Sequence, residues 1–177
     1  MTRILIEGPD LRIDAAIQGL DAEVAVVNGV EVSVIDPPNA VDAFVWNARA
    51  TQVGVAWDDV VDDASDFTVQ LNADRAPEIF GHAGLGVGVF GELTRLAVGD
   101  RVTITTAAGE LVYEVRGIHE MPKGAAGAQD PANPLIEGTG SPATILLGSC
   151  IPDGPGGRST TAAVYTAELV SSHSHVL

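Results

Sequence analysis

The segment "DRVTITTAAGELVYEVRGI", residues 100–118, decides the fold class of this chain. On both sides of the central "AAGE", apolar residues alternate with polar ones, which is the pattern of a β-strand with one buried face. We therefore predict that this segment forms a β-hairpin.

Short β-type runs also fill most of the remaining sequence. They are rich in β-branched residues and are broken by Gly, Pro or Asn. The runs are "RILIE" (3–7), "LRIDAAI" (11–17), "EVAVVNGVEVSVI" (23–35), "DAFVW" (42–46), "DFTVQL" (66–71), "EIFGHAG" (78–84), "ATILLGSC" (143–150) and "STTAAVYTAELV" (159–170). Within 23–35, the "NG" dipeptide between two alternating stretches is a strong hairpin signal.

Helical signals are short and few. One short helix is expected around 57–64, and one helical turn within "GVFGELTRLAVGD" (88–100). Parallel βαβ units would need helices of about 10–15 residues between the strands. With eight to ten short strands and so little helix, the sequence predicts an all-β barrel or sandwich. We expect one domain over 1–177, since 177 residues suit a single core, with a frayed tail at 171–177.

The charge balance argues against nucleic-acid binding. The chain has 24 acidic and 9 basic residues, a net charge of −15, which repels phosphates and anionic membrane surfaces. Asp58, Asp59, Asp62, Asp63 and Asp66 form an acidic cluster, but it lacks the spacing of a calcium loop and is interpreted as a solvated face. A single cysteine excludes an intramolecular disulfide and a cysteine-based zinc site. We predict neither a metal nor a cofactor.

Cys150 has two possible roles. It ends an apolar run and is followed by the loop "IPDGPGG" and then by Arg158. A free cysteine is often a small buried hydrophobe. At the rim of a sheet it can instead be a nucleophile, whose thiolate a neighbouring cation stabilises. Arg158 cannot act as a base, but its guanidinium can donate hydrogen bonds to a carbonyl oxygen or an oxyanion.

His82 is the histidine best placed to serve such a cysteine. A β-type run delivers it directly into a glycine-rich loop, which favours a presented imidazole over a packed one. His119 is expected in a surface loop, and His173 and His175 in the solvated tail. A histidine beside a thiolate can act as a general acid and base.

Taken together, these segments resemble the sortase family of cysteine transpeptidases, especially its actinobacterial branches. In such enzymes an "AGH" strand precedes "F..L..L..GD.V.V", "L.L.TC" carries the nucleophile, and an arginine follows several residues later. The matching segments here are "IFGHAG" (79–84), "VFGELTRLAVGDRVTI" (89–104), "TILLGSC" (144–150) and "RSTTAAVYTAEL" (158–169), and "LRIDAAI" (11–17) is similar to the family's opening strand. The resemblance covers about two thirds of the chain.

The resemblance implies an eight-stranded sortase-type β-barrel with one or two short helices. It implies that Cys150 is the nucleophile, His82 the general acid and base, and Arg158 the group that stabilises the oxyanion. Ser149, Gly81 and Ala83 are the implied substrate-binding residues. The implied reaction cleaves a sorting-signal peptide of L-[PA]-x-T-[GA] type after its threonine and passes the acyl group to an amine or to water. The implied partners are that peptide or protein and an amine from a cell-wall precursor or a pilin, with the enzyme a monomer.

Three features depart from the family pattern. Ser149 replaces the usual threonine, Gly148 is less typical, and the acidic segment 47–66 resembles an insertion. The family acts at the extracytoplasmic cell surface, whereas no signal peptide or membrane anchor is evident here. We therefore expect either a chain whose anchor has been removed or a naturally soluble relative, for instance one encoded by a phage.

Two alternatives remain beside the transpeptidase. An L,D-transpeptidase would need an S-H-G-C-x-R core, and "GSCIPDG" lacks the adjacent histidine and the nearby arginine. A catalytically inert sortase-like module that binds peptide or serves a structural role is the second. Retention of Cys150, His82 and Arg158 in the expected order favours the enzyme.

Overall fold

In a computed structural model, the structure describes residues 1–20, 23–27, 30–34, 38–46, 78–83, 88–107, 109–122, 144–151 and 161–175. These residues form ten β-strands and one 3₁₀ turn, Leu93–Arg95. The strands are β1 Arg3–Gly8, β2 Leu11–Leu20, β3 Glu23–Val27, β4 Val30–Val34, β5 Ala43–Trp46, β6 Glu78–Phe80, β7 Arg101–Thr105, β8 Gly109–Pro122, β9 Thr144–Ile151 and β10 Thr161–Ser174.

Eight of the strands close into a barrel, which confirms the predicted all-β class and selects the barrel over the sandwich. Around the barrel the order is β1-β2-β5-β6-β9-β10-β8-β7, and β7 pairs back onto β1. Two neighbouring pairs are parallel, β2 with β5 and β6 with β9, and the others are antiparallel. The remaining strands, β3 and β4, form a separate two-stranded antiparallel sheet, the hairpin predicted from 23–35.

The hairpin predicted from residues 100–118 is β7 and β8. The two strands pair from Arg101 with Glu114 to Thr105 with Glu110. At the turn, the buried Thr106 hydroxyl donates to the Gly109 carbonyl oxygen over 2.9 Å, and the Gly109 amide donates to the same hydroxyl over 3.1 Å. The turn therefore satisfies its buried polar groups internally.

Alternation along the strands builds the barrel interior. In β2, Leu11, Ile13, Ala15 and Ile17 face inward and are buried, while the residues between them are exposed. The same period of two places Ile145 and Leu147 of β9 in the core. Because Val, Ile, Leu and Ala dominate this interior, the low aromatic content of the sequence is no obstacle to a packed core.

The two tyrosines of the chain, Tyr113 of β8 and Tyr165 of β10, both lie in this core. Burial raises the pKa of Tyr113 well above its ordinary value. Its hydroxyl has no hydrogen-bond partner among the described residues. Burial also raises the pKa of Tyr165, and the nearby Glu120 carboxylate adds to the effect.

The outward face of five neighbouring strands carries a row of charged residues, which we call the charged belt. Register partners place its members side by side from β2 through β1, β7 and β8 to β10: Arg12, Glu7, Arg101, Glu114 and Glu168. Ion pairs join Arg12 to Glu7 at 2.5 Å and Arg101 to Glu114 at 3.7 Å. This side of the barrel is therefore a solvated surface of paired charges.

Two sequence-based expectations were wrong. The tail expected to fray from residue 171 continues β10 to Ser174, because Ser171–Ser174 pair with the first residues of β8. His119, expected in a surface loop, lies within β8 opposite Val164 and is half-buried. In both cases β8 and β10 are longer than the alternating runs that predicted them, because each supports the other by pairing.

Several other expectations lie outside the described residues. These are the short helix at 57–64, the strand "DFTVQL", the acidic cluster and the Asn28–Gly29 turn. The expectation of one domain over the whole chain stays a prediction.

Candidate active site

Cys150 lies near the end of β9, on the outward face of the barrel. Its neighbours two and three positions earlier show the alternation, since Leu147 belongs to the core and Gly148 shares the outward face with Cys150. Cys150 is half-buried and makes no disulfide. It is therefore neither enclosed in the core nor fully open to solvent.

The strand that precedes His82, β6, lies directly beside β9. β6 and β9 are parallel, and their last register pair joins Phe80 to Gly148. His82 and Cys150 each follow that pair by two residues. The two residues therefore lie at equal offsets beyond a register pair whose strand backbones are about 4.8 Å apart.

Two hydrogen bonds keep the strand ends together beyond the register pair. The Gly81 amide donates to the Gly148 carbonyl oxygen over 3.3 Å. The Ser149 hydroxyl donates to the Gly81 carbonyl oxygen over 2.9 Å. Ser149, the residue before the cysteine, is thus bonded to the residue before the histidine.

The segment after His82 fixes its backbone from the other side. The Phe90 amide donates to the His82 carbonyl oxygen over 2.9 Å. Gly88 approaches the same carbonyl so closely that a Cβ on Gly88 would lie 2.0 Å from the oxygen. Phe90, Leu93 and Leu96 are buried in the core and anchor the segment. The apolar residues of "VFGELTRL" therefore hold the backbone of His82 in place.

A second anchor comes from the chain before β5. The Val89 amide donates to the Ala40 carbonyl oxygen over 2.7 Å. Asn39 closes the local turn, because its side-chain oxygen accepts hydrogen bonds from the amides of Val41 and Asp42. The Asp42 carboxylate in turn accepts from Gln18 and from the Asn39 side-chain amide. Sequence analysis did not single out this group, because Gln18 lies 24 residues before its partner Asp42 and local patterns do not relate the two.

The predicted substrate-binding residues lie around the two strand ends. Gly81 and Ala83 flank His82 and are both buried. Neither residue therefore offers much accessible surface to a substrate. Ser149 is half-buried, and its hydroxyl is already engaged with Gly81.

Arg158 lies outside the described residues. The segment that contains it connects β9 to β10, and the strand residues on either side, Ile151 and Thr161, are register partners. Ala162 of β10 is the partner of Cys150. Each of the described arginines pairs with a carboxylate: Arg3 with Asp14, Arg12 with Glu7, Arg95 with Glu92, Arg101 with Glu114, and Arg116 with Glu114 and Glu168.

The described residues contain no group of three or more His, Cys, Asp or Glu side chains arranged to hold a metal ion. Among them there is also no helix with the length and apolar character required to cross a bilayer.

This chain matches known proteins in structure but not in sequence. No protein-family model and no curated protein sequence matches this chain. Sortase A of Listeria monocytogenes superposes with a TM-score of 0.58 at 14% identity, covering 98% of this chain and 88% of the other. A lid mutant of sortase A from Corynebacterium diphtheriae gives 0.59 at 17% identity, covering 97% and 71%.

Sortase C-1 of Actinomyces oris gives a TM-score of 0.56 at 17% identity, covering 96% of this chain and 71% of the other. These likenesses extend over nearly the whole chain at sequence identities of 14–17%. The barrel described above, with β6 parallel to β9, therefore has the sortase fold.

Proposed function

We propose that this protein is a cysteine transpeptidase that cleaves a sorting-signal peptide and forms a thioester on Cys150. The observation that carries the proposal is the register of β6 and β9. The last register pair of these parallel strands is Phe80 with Gly148, and His82 and Cys150 each follow it by two residues. Nucleophilic catalysis by cysteine needs that pair of side chains close together on an accessible face.

Acylation follows from the chemistry of the pair. The Cys150 thiolate attacks the scissile carbonyl carbon, and the carbonyl oxygen takes the negative charge. Arg158 donates hydrogen bonds to that oxygen. When the intermediate collapses, the C–N bond breaks, and the imidazolium of His82 gives its proton to the departing amine. The products are a thioester on Cys150 and a free amine.

Deacylation reverses the proton transfer. An incoming amine attacks the thioester carbonyl and gives its proton to neutral His82 as the C–S bond breaks. This restores the Cys150 thiolate and forms a new amide bond. Water in place of the amine yields a carboxylic acid, which makes the same site a hydrolase.

The substrate class comes from the resemblance and from the neighbours. The sortase pattern implies a peptide of L-[PA]-x-T-[GA] type, and one structural neighbour, sortase C of Streptococcus pneumoniae, is described in terms of pilin substrate specificity. We propose a peptide or protein of this kind as acyl donor. A cell-wall precursor or a pilin amine serves as acceptor.

A fluorogenic peptide panel of L-[PA]-x-T-[GA] sequences tests the proposal. The wild-type protein should cleave at least one peptide, and Cys150→Ala should cleave none. His82→Gln should lose about 100-fold or more in kcat/KM, since general acid catalysis contributes about 10²–10⁴-fold. His173→Gln, an exposed histidine of β10, is the matched control and should stay within about twofold of wild type.

Mass spectrometry of the quenched reaction supplies a second readout. The acyl fragment should be found on Cys150 and should leave when an amine such as triglycine is added. A protein that shows neither Cys150-dependent cleavage nor a thioester with any panel member is not this enzyme. That result would leave the inert sortase-fold module.

A further inference from the structure

We propose that the contact between Phe80 and Gly148 determines which substrate side chain fits beside Cys150. This inference rests on the proposed function and concerns the specificity of the same site. The pair excludes large side chains and admits small ones at one position of the peptide. Its members are the last register partners of β6 and β9.

The two residues compensate each other in shape. A Cβ placed on Gly148 would lie 3.0 Å from Cδ1 and 3.2 Å from Cε1 of Phe80. These separations are shorter than an ordinary van der Waals contact, so the aromatic ring already occupies the space of a β9 side chain. The sortase pattern has alanine before Gly-His, where this chain has Phe80. A large residue on β6 and the smallest one on β9 thus fill one shared space.

The pair faces outward, on the side that carries the candidate site. Phe80 and Gly148 are absent from the interior core, whereas their neighbours Ile79 and Leu147 belong to it. Phe80 is half-buried and Gly148 is buried, so Phe80 carries the accessible surface of the pair. The flanking partners in the same row, Phe44 of β5 and Val164 of β10, are apolar and buried.

The spacing from Cys150 suits an acyl group. Two residues along a strand cover about 6.5–7 Å. A peptide bound by its carbonyl carbon to the Cys150 sulfur and extended along the sheet advances about 3.3 Å per residue. In the proposed binding mode the peptide follows β9 toward Thr144, so a side chain within the four residues before the scissile bond passes over the ring of Phe80. An aromatic ring at that point limits the depth available to it.

An experiment with complementary variants tests this inference. The peptide panel carries Ala, Leu or Phe in turn at each of the four positions before the scissile bond, and kcat/KM is measured for each peptide. At one position the wild type should prefer Ala over Leu and Phe. Phe80→Ala should raise the kcat/KM of the Leu or Phe peptide relative to the Ala peptide about tenfold or more. This range is typical for a few methylene groups in an apolar pocket.

The double variant Phe80→Ala/Gly148→Val refills the space from β9. It should return the preference to within about threefold of wild type, which simple loss of packing would not do. Leu146→Val is the matched control, since Leu146 lies on the same face of β9 as Gly148 and two residues further from Cys150. Its preference should equal that of the wild type within about twofold.

The outcomes separate the two proposals. If folded and active Phe80→Ala retains the wild-type preference at all four positions, the pair is only structural and the inference fails while the proposed function stands. If Phe80→Ala does not fold, Phe80→Leu takes its place, and an unchanged preference there overturns the inference equally. Absence of Cys150-dependent cleavage by the wild type overturns both.

Discussion

Two outward faces of the same barrel differ in how their residues are used. The charged belt crosses β2, β1, β7, β8 and β10, and its side chains pair with neighbours at the surface. The face around β6 and β9 carries Phe80, His82, Gly148 and Cys150, and none of these four is an Asp, Glu, Lys or Arg. Both faces obey the same two-residue alternation, so alternation alone does not distinguish them.

The difference lies in how closely the backbones and side chains must fit. In the charged belt the side chains are long, solvated and individually replaceable, and surface ion pairs contribute little free energy. Around β6 and β9 the contacts involve glycines, a serine hydroxyl and main-chain carbonyls, where a shift of tenths of an ångström matters. Substitutions on the two faces should therefore have very different consequences.

Among the substitutions that compare the two faces, the largest effect should come from Gly88→Ala. The added Cβ would lie 2.0 Å from the His82 carbonyl oxygen and 2.5 Å from its carbon, so the backbone of His82 has to move. We expect peptide cleavage to fall about 100-fold, because small displacements of a catalytic group are costly. Purified protein, checked by circular dichroism and assayed at saturating peptide, provides the measurement.

Gly99→Ala is the matched control for that variant. Gly99 has a φ of 97°, and no atom lies within 4 Å of the position that a methyl group on it would take, so alanine there adds backbone strain without a clash. Stability should fall by about 1 kcal/mol with cleavage unchanged. Equal losses of activity in the two alanine variants would mean that the His82 backbone is not the sensitive element.

A smaller effect is expected from Ser149→Ala, which removes the hydrogen bond to the Gly81 carbonyl oxygen. The free energy of unfolding should fall by about 1 kcal/mol. Cleavage should fall several-fold, since the segments that carry His82 and Cys150 lose one of the hydrogen bonds between them. Urea unfolding and kcat/KM check the two effects separately.

Ser149→Thr keeps the hydroxyl and restores the residue that the sortase pattern has at this position. It should recover most of the activity lost in the alanine variant. A threonine variant as impaired as the alanine one would show that packing volume, and not the hydrogen bond, is what matters at this position.

The smallest effect should come from Arg101→Gln in the charged belt. Its ion pair with Glu114 spans 3.7 Å, and more than half of the arginine side chain is exposed. The free energy of unfolding should change by about 0.5 kcal/mol or less, and cleavage should not change. Thermal unfolding at low and high salt checks this result. A loss as large as that of Ser149→Ala would remove the contrast between the two faces.

Sequence patterns predicted the strands better than they predicted which strands lie next to each other. Alternation in β1, β2, β7 and β8, and the apolar run of β9, were strong enough to identify each strand. The parallel pairing of β6 with β9 joins residues 68 apart, as the Ser149–Gly81 hydrogen bond shows, and no local pattern encodes that neighbour relation. β6 itself has three residues, too few for alternation to be informative.

In the candidate site, too, some features were predictable from the sequence and others were not. Cys150 and His82 could be selected from residue type and from the flanking glycines. The close approach of Gly88 to the His82 carbonyl and the compensation between Phe80 and Gly148 depend on distances between segments, which a sequence does not contain. The sequence did not predict the C-terminal end of β10. Its last residues, "SSHS", have no apolar alternation and are extended because they pair with β8.

The placement of both tyrosines in the barrel core gives the protein a built-in optical reporter. The pKa of each is raised by burial, so the folded state resists ionisation at pH values where an unfolded chain ionises, above about 10. Folding stability must then decline as the pH rises past that value. The chain has no third tyrosine to ionise at the surface. The ultraviolet absorbance of tyrosinate in an alkaline titration should therefore follow the opening of the barrel itself.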